Sequence, residues 1–212
     1  WIAHGAVGEA TPSLIEGFIK AQEATIARSW AQIVRDYRLT WEMLPDAALA
    51  RPEVWDALLD VGVPMTALMR QLPRLTRLGM LPAIGGRTRE VCAQLTDADR
   101  LRKARVHPVS VLVAQRTYAG GASHRGTAQW EPTTKVADAL DAAFYAAFGA
   151  VEPSGRRTML AVDVSGSMTM PISGMAITAR EASAALALVQ LATEPDAEAY
   201  GFSSAGGWYK PA

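Results

Sequence analysis

The chain has 212 residues, half of them apolar and a fifth charged, a globular composition that excludes a disordered or collagen-like chain. Basic and acidic residues number 21 each, so the formal net charge is zero. The charges are unevenly distributed. Residues 70–130 contain 11 basic and 3 acidic residues, whereas 1–69 and 131–212 each contain 5 basic and 9 acidic residues. A zero total therefore does not exclude a basic surface that binds nucleic acid.

The cysteine and hydropathy patterns predict a cytoplasmic protein. Cys92 is the only cysteine, so no intrachain disulfide can form, as is usual in a reducing cytosol. The apolar run at 182–193 is too short for a bilayer span, which needs about 20 residues. Because Trp1 is not an initiator, we expect the sequence to start inside a larger protein.

The sequence from 11 to about 148 predicts successive short helices. Apolar residues recur with helical spacing from 14 to 37. Pro52 and Pro64 each open a further helix, since proline is tolerated in a first turn. Pro73 is expected to kink or end the second of these, because it has no backbone N–H.

The later helices are predicted from their caps. Thr88 is expected to cap a helix that ends at residue 95, and Thr96 with Asp99 has the spacing of a capping box. Pro108 opens another helix, and apolar spacing over 136–148 marks the last one. Short helices joined by short turns favour a stacked helical-repeat array.

Beyond a polar Pro/Gly segment the pattern changes to that of an α/β domain. Residues 158–164 predict a buried parallel strand, 177–193 a crossover helix, and 200–202 a second strand. The predicted organisation is a mostly α chain with a helical array (1–150), a linker (151–157) and the β-α-β start of an α/β domain (158–212).

A candidate metal loop follows the first predicted strand. Asp163, Ser165 and Ser167 form the pattern D-x-S-x-S at the carboxyl end of the strand, where open α/β sheets bind ligands. One carboxylate and two hydroxyls suit Mg²⁺ with retained waters better than zinc. The pattern is that of the metal-ion-dependent adhesion site of von Willebrand factor A domains. The alternative is a Ser/Gly turn in which Asp163 caps the next helix.

Enzymatic interpretations of this loop are weaker. A nucleophile elbow requires glycines two residues before and after the serine, but Asp163 and Ser167 flank Ser165. None of the three histidines lies in this domain to act as a base. An aspartyl-phosphate enzyme would require a second aspartate at position 165. We therefore predict no catalytic activity.

The helical array, the linker and the metal loop together resemble the Ro ribonucleoprotein autoantigen family, in which a TROVE module precedes a von Willebrand A domain. The resemblance extends from about residue 14 to the end, and we expect a partial chain of a bacterial or phage member. It is strongest at 52–59, 64–70, 103–108, 139–145, 151–156 and 160–168.

The resemblance implies a ring of HEAT-like repeats closed by a Rossmann-like A domain. Family members bind small noncoding Y RNAs and accept single-stranded ends of misfolded RNAs. They act in RNA quality control, in bacteria with a 3′-to-5′ exoribonuclease, and no catalysis is attributed to them. This chain departs from the family pattern because it lacks the later Thr and Asp metal ligands and the His-rich Y-RNA helix. The predicted Mg²⁺ site is therefore incomplete.

The basic segment supplies the candidate RNA-binding residues. Arginine predominates there, and its planar guanidinium binds phosphate and stacks on bases. The candidates are Arg70, Arg74, Arg77, Arg87, Arg102, Lys103, Arg105, His107, Arg116, His124 and Arg125. The alternative for any one of them is a solvated charge paired with the acidic flanks, and for His107 a structural or capping histidine. A second function left open is a metal-dependent protein-interaction module without an RNA role.

Overall fold

The structure is a computed structural model that describes residues 12–124, 126–204 and 206–210. The α-helices are α1 (Ser13–Glu23), α2 (Ala27–Tyr37), α3 (Asp46–Leu49), α4 (Pro52–Val61), α5 (Met65–Arg77), α6 (Gly86–Leu95), α7 (Ala98–Lys103), α8 (Pro108–Ala119), α9 (Thr134–Ala146) and α10 (Ala179–Thr193). The strands are β1 (Thr158–Asp163), β2 (Ala197–Phe202) and β3 (Trp208–Tyr209). In the described ranges, the helices are too short or too polar to cross a bilayer.

The helical period predicted from 14 to 37 is interrupted, and the chain forms the pair α1 and α2. Ala24 and Ile26 have extended backbone conformations, which let α2 fold back against α1. The helices approach closely at Gly17, where any Cβ would collide with the Tyr37 side chain. Folding back buries the apolar stripes of both helices against each other, which one straight helix could not do.

Helix α5 continues through Pro73 to Arg77, so the expectation that the helix ends at this proline is wrong, and the expected kink stays a prediction. Leu68, Leu72 and Leu75, on either side of the proline, are completely buried. Burial of these side chains outweighs the lost backbone hydrogen bond, since each contributes about 1.5–3 kcal/mol.

The predicted caps around α6 and α7 are also corrected. Thr88 lies inside α6, where its hydroxyl donates to the Pro82 carbonyl at 2.7 Å. The N-cap of α7 is Asp97, whose carboxylate accepts the Arg100 N–H at 3.0 Å. The Thr96 hydroxyl instead donates back to the Cys92 carbonyl in α6. Asp is as good a cap as Thr, and only the backbone decides between adjacent candidates.

Tyr118 joins three parts of the array near the end of α8. Its side chain is 1% exposed, and its hydroxyl lies 2.9 Å from the Thr76 hydroxyl of α5. The same oxygen accepts the backbone N–H of Thr133, which precedes α9, at 3.0 Å. The Trp130 indole donates to the Tyr118 carbonyl at 2.8 Å. The loop between α8 and α9 is therefore held at both ends.

The sheet confirms the predicted β-α-β start and adds a third strand. β1 and β2 are parallel, with Thr158 opposite Ala197, and α10 forms the crossover. The short β3 pairs antiparallel with β2 and was not predicted. The expectation of a buried β1 is wrong, because Met159 is 63% exposed on a face that no described element covers. Strand identity follows from local pattern, whereas burial depends on neighbouring elements.

Candidate functional site

The candidate arginines of α5 do not share one environment. Arg70 and Arg77 are exposed one above the other, two turns apart on the helix. Arg74 is half-buried, and its guanidinium carbon lies 5.9 Å from the Trp55 ring centre. Its Nη1 is buried without a hydrogen-bond partner among the described residues. Arg70 and Arg77 are therefore available to solvent, whereas Arg74 packs against the core.

Arg87 forms ion pairs with three carboxylates. Its guanidinium contacts Asp56 at 3.1 Å, Asp60 at 3.0 Å and Glu90 at 2.9 Å. Arg35 of α2 also contacts Asp60, at 3.3 Å. This network connects α2, α4 and α6. Because the carboxylates neutralise its charge and engage its donors, the Arg87 side chain has a structural role in this arrangement.

The candidate cations of α7 lie at its exposed carboxyl end. Arg102 pairs with Asp99 one turn earlier, at 2.7 Å. Lys103 and Arg105 are exposed, and Arg105 adopts the left-handed backbone conformation, with φ of 49°. Exposed i,i+3 ion pairs contribute only about 0.2–0.5 kcal/mol, so a phosphate can compete with Asp99 for Arg102. The end of α7 therefore presents three cations to solvent.

The histidines and the last arginine candidate have separate placements. The Nδ1 of His107 accepts the Val109 N–H at 3.2 Å, which makes His107 the N-cap of α8. Its exposed ring can still present Nε2 to a ligand. His124 is exposed in the loop between α8 and α9. Arg125 lies outside the described residues.

Arg116 connects the helical array to the α/β domain. Its guanidinium Nε lies 3.0 Å from the Glu181 carboxylate in the first turn of α10. Glu181 also accepts the Thr178 backbone N–H at 2.9 Å and completes a capping box with Thr178. The backbone N–H of Thr178, its hydroxyl and the Arg116 guanidinium lower the pKa of Glu181, and the backbone hydrogen bond has the largest effect. The Glu181 carboxylate is therefore ionised at neutral pH. The T-x-x-E spacing at 178–181 could have revealed this cap from sequence.

The three candidate metal ligands are brought together at the end of β1. The Ser165 N–H donates to Asp163 Oδ1 at 2.8 Å, and the hydroxyls of Ser165 and Ser167 lie 3.0 Å apart. Hydrogen bonds from the Ser165 hydroxyl and then from its backbone N–H lower the pKa of Asp163. The ionised carboxylate and two hydroxyl groups offer only hard oxygen donors.

This donor set fits part of a Mg²⁺ site. Nowhere in the described chain do three or more His, Cys, Asp or Glu side chains form a cluster that could hold a metal. Octahedral coordination would therefore need water or further protein oxygens beside the three loop side chains. Arg180 of α10 lies behind the loop, with Nη2 3.5 Å from the Ser165 carbonyl. Sequence reasoning did not identify this residue.

Comparison with known proteins supports one family for both parts of the chain. Residues 32–117 match the TROVE domain, and residues 157–209 match the Ro60 vWA domain. A Caenorhabditis elegans protein named RNA-binding protein RO60 is 36% identical over 190 residues, covering 90% of this chain and 29% of the relative. A Deinococcus radiodurans protein with the same name is 40% identical over 193 residues, covering 90% of this chain and 36% of the relative. The chain belongs to the Ro60 family.

A solved structure agrees with the fold of this Ro60-family chain. The crystal structure of Deinococcus radiodurans RO (RSR) protein matches with a TM-score of 0.86 and 36% identity, covering 99% of this chain and 42% of that one. The predicted class, a helical array followed by the start of a von Willebrand A domain, is confirmed. The chain spans about a third of the length of the curated relatives. The exact domain boundaries at 150 and 157 stay predictions.

Proposed function

We propose that this chain is part of an RNA-binding scaffold whose exposed cations hold RNA phosphates. The observation that carries the proposal is the exposure of Arg70, Arg77, Lys103 and Arg105 in a Ro60-family chain. The relatives that match 90% of the chain are named RNA-binding proteins. Phosphate neutralisation by such cations supplies most sequence-independent affinity for RNA.

The proposed RNAs are those that the family resemblance implies, namely small noncoding Y-like RNAs and single-stranded ends of misfolded RNAs. A 3′-to-5′ exoribonuclease is the proposed protein partner, and the cytoplasm is the proposed compartment. We propose binding without catalysis, since residues 158–212 contain no histidine that could act as a general base for Ser165.

A salt series tests the RNA proposal. The proposed phosphate contacts are five exposed cations of α5 and of the end of α7, namely Arg70, Arg77, Arg102, Lys103 and Arg105. If each neutralises one phosphate of a single strand, the logarithm of affinity should fall with the logarithm of salt concentration with a slope of about −3.5. Electrophoretic shifts with RNAs carrying or lacking single-stranded 3′ tails give this slope. An affinity that does not change with salt, or no RNA binding at all, would overturn the proposal.

We further propose that the loop of Asp163, Ser165 and Ser167 supplies three oxygen ligands to Mg²⁺. Their proximity, the ionised state of Asp163 and their hard-oxygen chemistry support this assignment. Bound Mg²⁺ would add a Lewis-acidic centre that an acidic partner could complete. The interpretation of the chain as a metal-dependent protein-interaction module without RNA binding is not favoured by its family.

Replacing Asp163 should weaken cation binding. In Asp163→Asn the loop loses its only carboxylate, and we expect affinity for Mn²⁺, a spectroscopic substitute for Mg²⁺, to fall about tenfold or more. Electron paramagnetic resonance counts free Mn²⁺ during titration. Asp99→Asn, which removes an exposed carboxylate of the array, is the matched control. Equal Mn²⁺ affinity in the wild type and Asp163→Asn would show that the loop does not bind the metal.

A further inference from the structure

A pocket lies where α5, α8 and the segment before α10 meet. One stripe of α5, formed by Met69, Arg70 and Pro73, lines one wall. Val113 and neighbouring residues of α8 line the opposite wall, and Met175 contributes from the A domain. The cavity volume is about 470 Å³. Small-molecule sites usually enclose about 300–1,000 Å³, so the pocket can hold a nucleotide but not a duplex.

Its chemistry combines apolar walls with one cation. Met69 is 5% exposed, and with Pro73, Val113 and Ala114 it gives the pocket an apolar lining. Arg70 is exposed at the same stripe of α5 and forms no ion pair with the described carboxylates. A planar apolar group can therefore enter while an attached anion meets the guanidinium. An unstacked nucleobase and its phosphate have this combination.

The internal proline of α5 adds a hydrogen-bond acceptor to this wall. In an α-helix the carbonyl of Met69 would accept the N–H of residue 73, four positions later. Residue 73 is Pro, which has no N–H, and both residues line the pocket. The Met69 carbonyl is therefore left without its i+4 donor at the pocket wall. An exocyclic amino group of cytosine or adenine could donate to it, whereas uracil presents a carbonyl at that position.

We propose that this pocket binds one unpaired nucleobase with an exocyclic amino group, with its phosphate on Arg70. The proposal rests on the RNA-binding function proposed above and adds a base subsite to it. The base must be unpaired, because only an unstacked base can be turned into a pocket. Pro73 then has a role in binding, since it supplies no N–H to the Met69 carbonyl.

Three variants and two probes test this subsite. The probes are oligo(C) and oligo(U), which have the same backbone and differ at the exocyclic amino group. Each is about 12 nucleotides long, which lies within the site sizes of proteins that bind single strands. The wild-type protein should bind oligo(C) about threefold to tenfold more tightly than oligo(U), as expected for one hydrogen bond. Pro73→Ala restores the helical N–H without weakening the helix and should abolish this preference.

Ala114→Phe fills the pocket and should reduce binding of both oligonucleotides about tenfold, with an unchanged salt slope. Arg70→Gln should instead make the slope shallower by about 0.7. Circular dichroism of each variant reports the fold. Equal wild-type affinity for the two probes, or unchanged binding by Ala114→Phe, overturns the subsite. If one of these two results is found while RNA affinity still falls steeply with salt, the subsite is refuted but the RNA-binding proposal stands. If the wild-type protein binds neither oligonucleotide, both the subsite and the RNA-binding proposal are refuted.

Discussion

Reversing the three cations at the end of α7 is expected to lower RNA affinity on the order of 100-fold, at about 1 kcal/mol per lost phosphate contact. The variant is Arg102→Glu, Lys103→Glu and Arg105→Asp. Aspartate is used at residue 105 because φ is 49° there, a conformation that aspartate tolerates. These side chains are exposed and pair at most with Asp99, so their charges face solvent and ligand.

The control is the triple variant Arg28→Glu, Arg51→Glu and Arg156→Glu. It has the same change in net charge, but its three exposed positions lie outside the basic segment 70–130. It should bind RNA with an affinity close to that of wild type at moderate salt, because exposed charges more than about 10 Å from the RNA are screened. Filter binding gives the affinities, and thermal melting confirms folding of both triple variants. Equal losses in the two triple variants would mean that net charge alone, and no α7 surface, governs binding.

Trp55→Ala is expected to destabilise the array by about 3–5 kcal/mol, the usual range for emptying a buried aromatic site. Trp55 is completely buried in α4, and its indole N–H donates to the Leu49 carbonyl at 2.9 Å. Truncation leaves a cavity, an unpaired carbonyl and an Arg74 guanidinium without its aromatic neighbour. A loss of this size is a large fraction of the stability of a typical domain.

Urea unfolding followed by circular dichroism measures this loss. Ile84→Ala is the control, because Ile84 is 88% exposed and its truncation should change the free energy of unfolding by less than about 0.5 kcal/mol. The free energy of unfolding of Trp55→Phe should lie between those of Trp55→Ala and Ile84→Ala, because the smaller ring retains most of the packing but lacks the indole N–H. A free energy of unfolding for Trp55→Ala within about 1 kcal/mol of wild type would contradict the packing of α4 described above.

The sequence predicted the elements best where a local signal is strong. Pro52 and Pro108 begin α4 and α8 as expected, because a proline in the first turn costs no hydrogen bond. The β-α-β start followed from a β-branched run and a helix of small residues. The expected helix end at Pro73 was wrong, because three buried leucines on either side of the proline keep the helix continuous. It also failed at Met159, whose exposure depends on which elements lie over β1.

The candidate site also has features that the sequence could predict and features that it could not. The loop of Asp163, Ser165 and Ser167 could be found from sequence, because spacing of two residues on one turn brings the oxygens together. The roles of individual arginines could not, because local sequence does not show where distant carboxylates lie. Arg87 forms ion pairs with Asp56 and Asp60, which lie some thirty residues earlier in the sequence. Arg116 forms an ion pair with Glu181, which lies 65 residues later.

Sequence alone determined that a basic middle third separates two acidic flanks, that a helical array precedes an α/β domain, and that an oxygen-rich loop follows the first strand. Only the tertiary structure decided which cations remain free. Arg70, Lys103 and Arg105 face solvent, whereas Arg87 pairs with carboxylates of another helix. The physical reason is that helical period and turn chemistry act over a few residues, whereas charge pairing and burial depend on elements that only folding brings together.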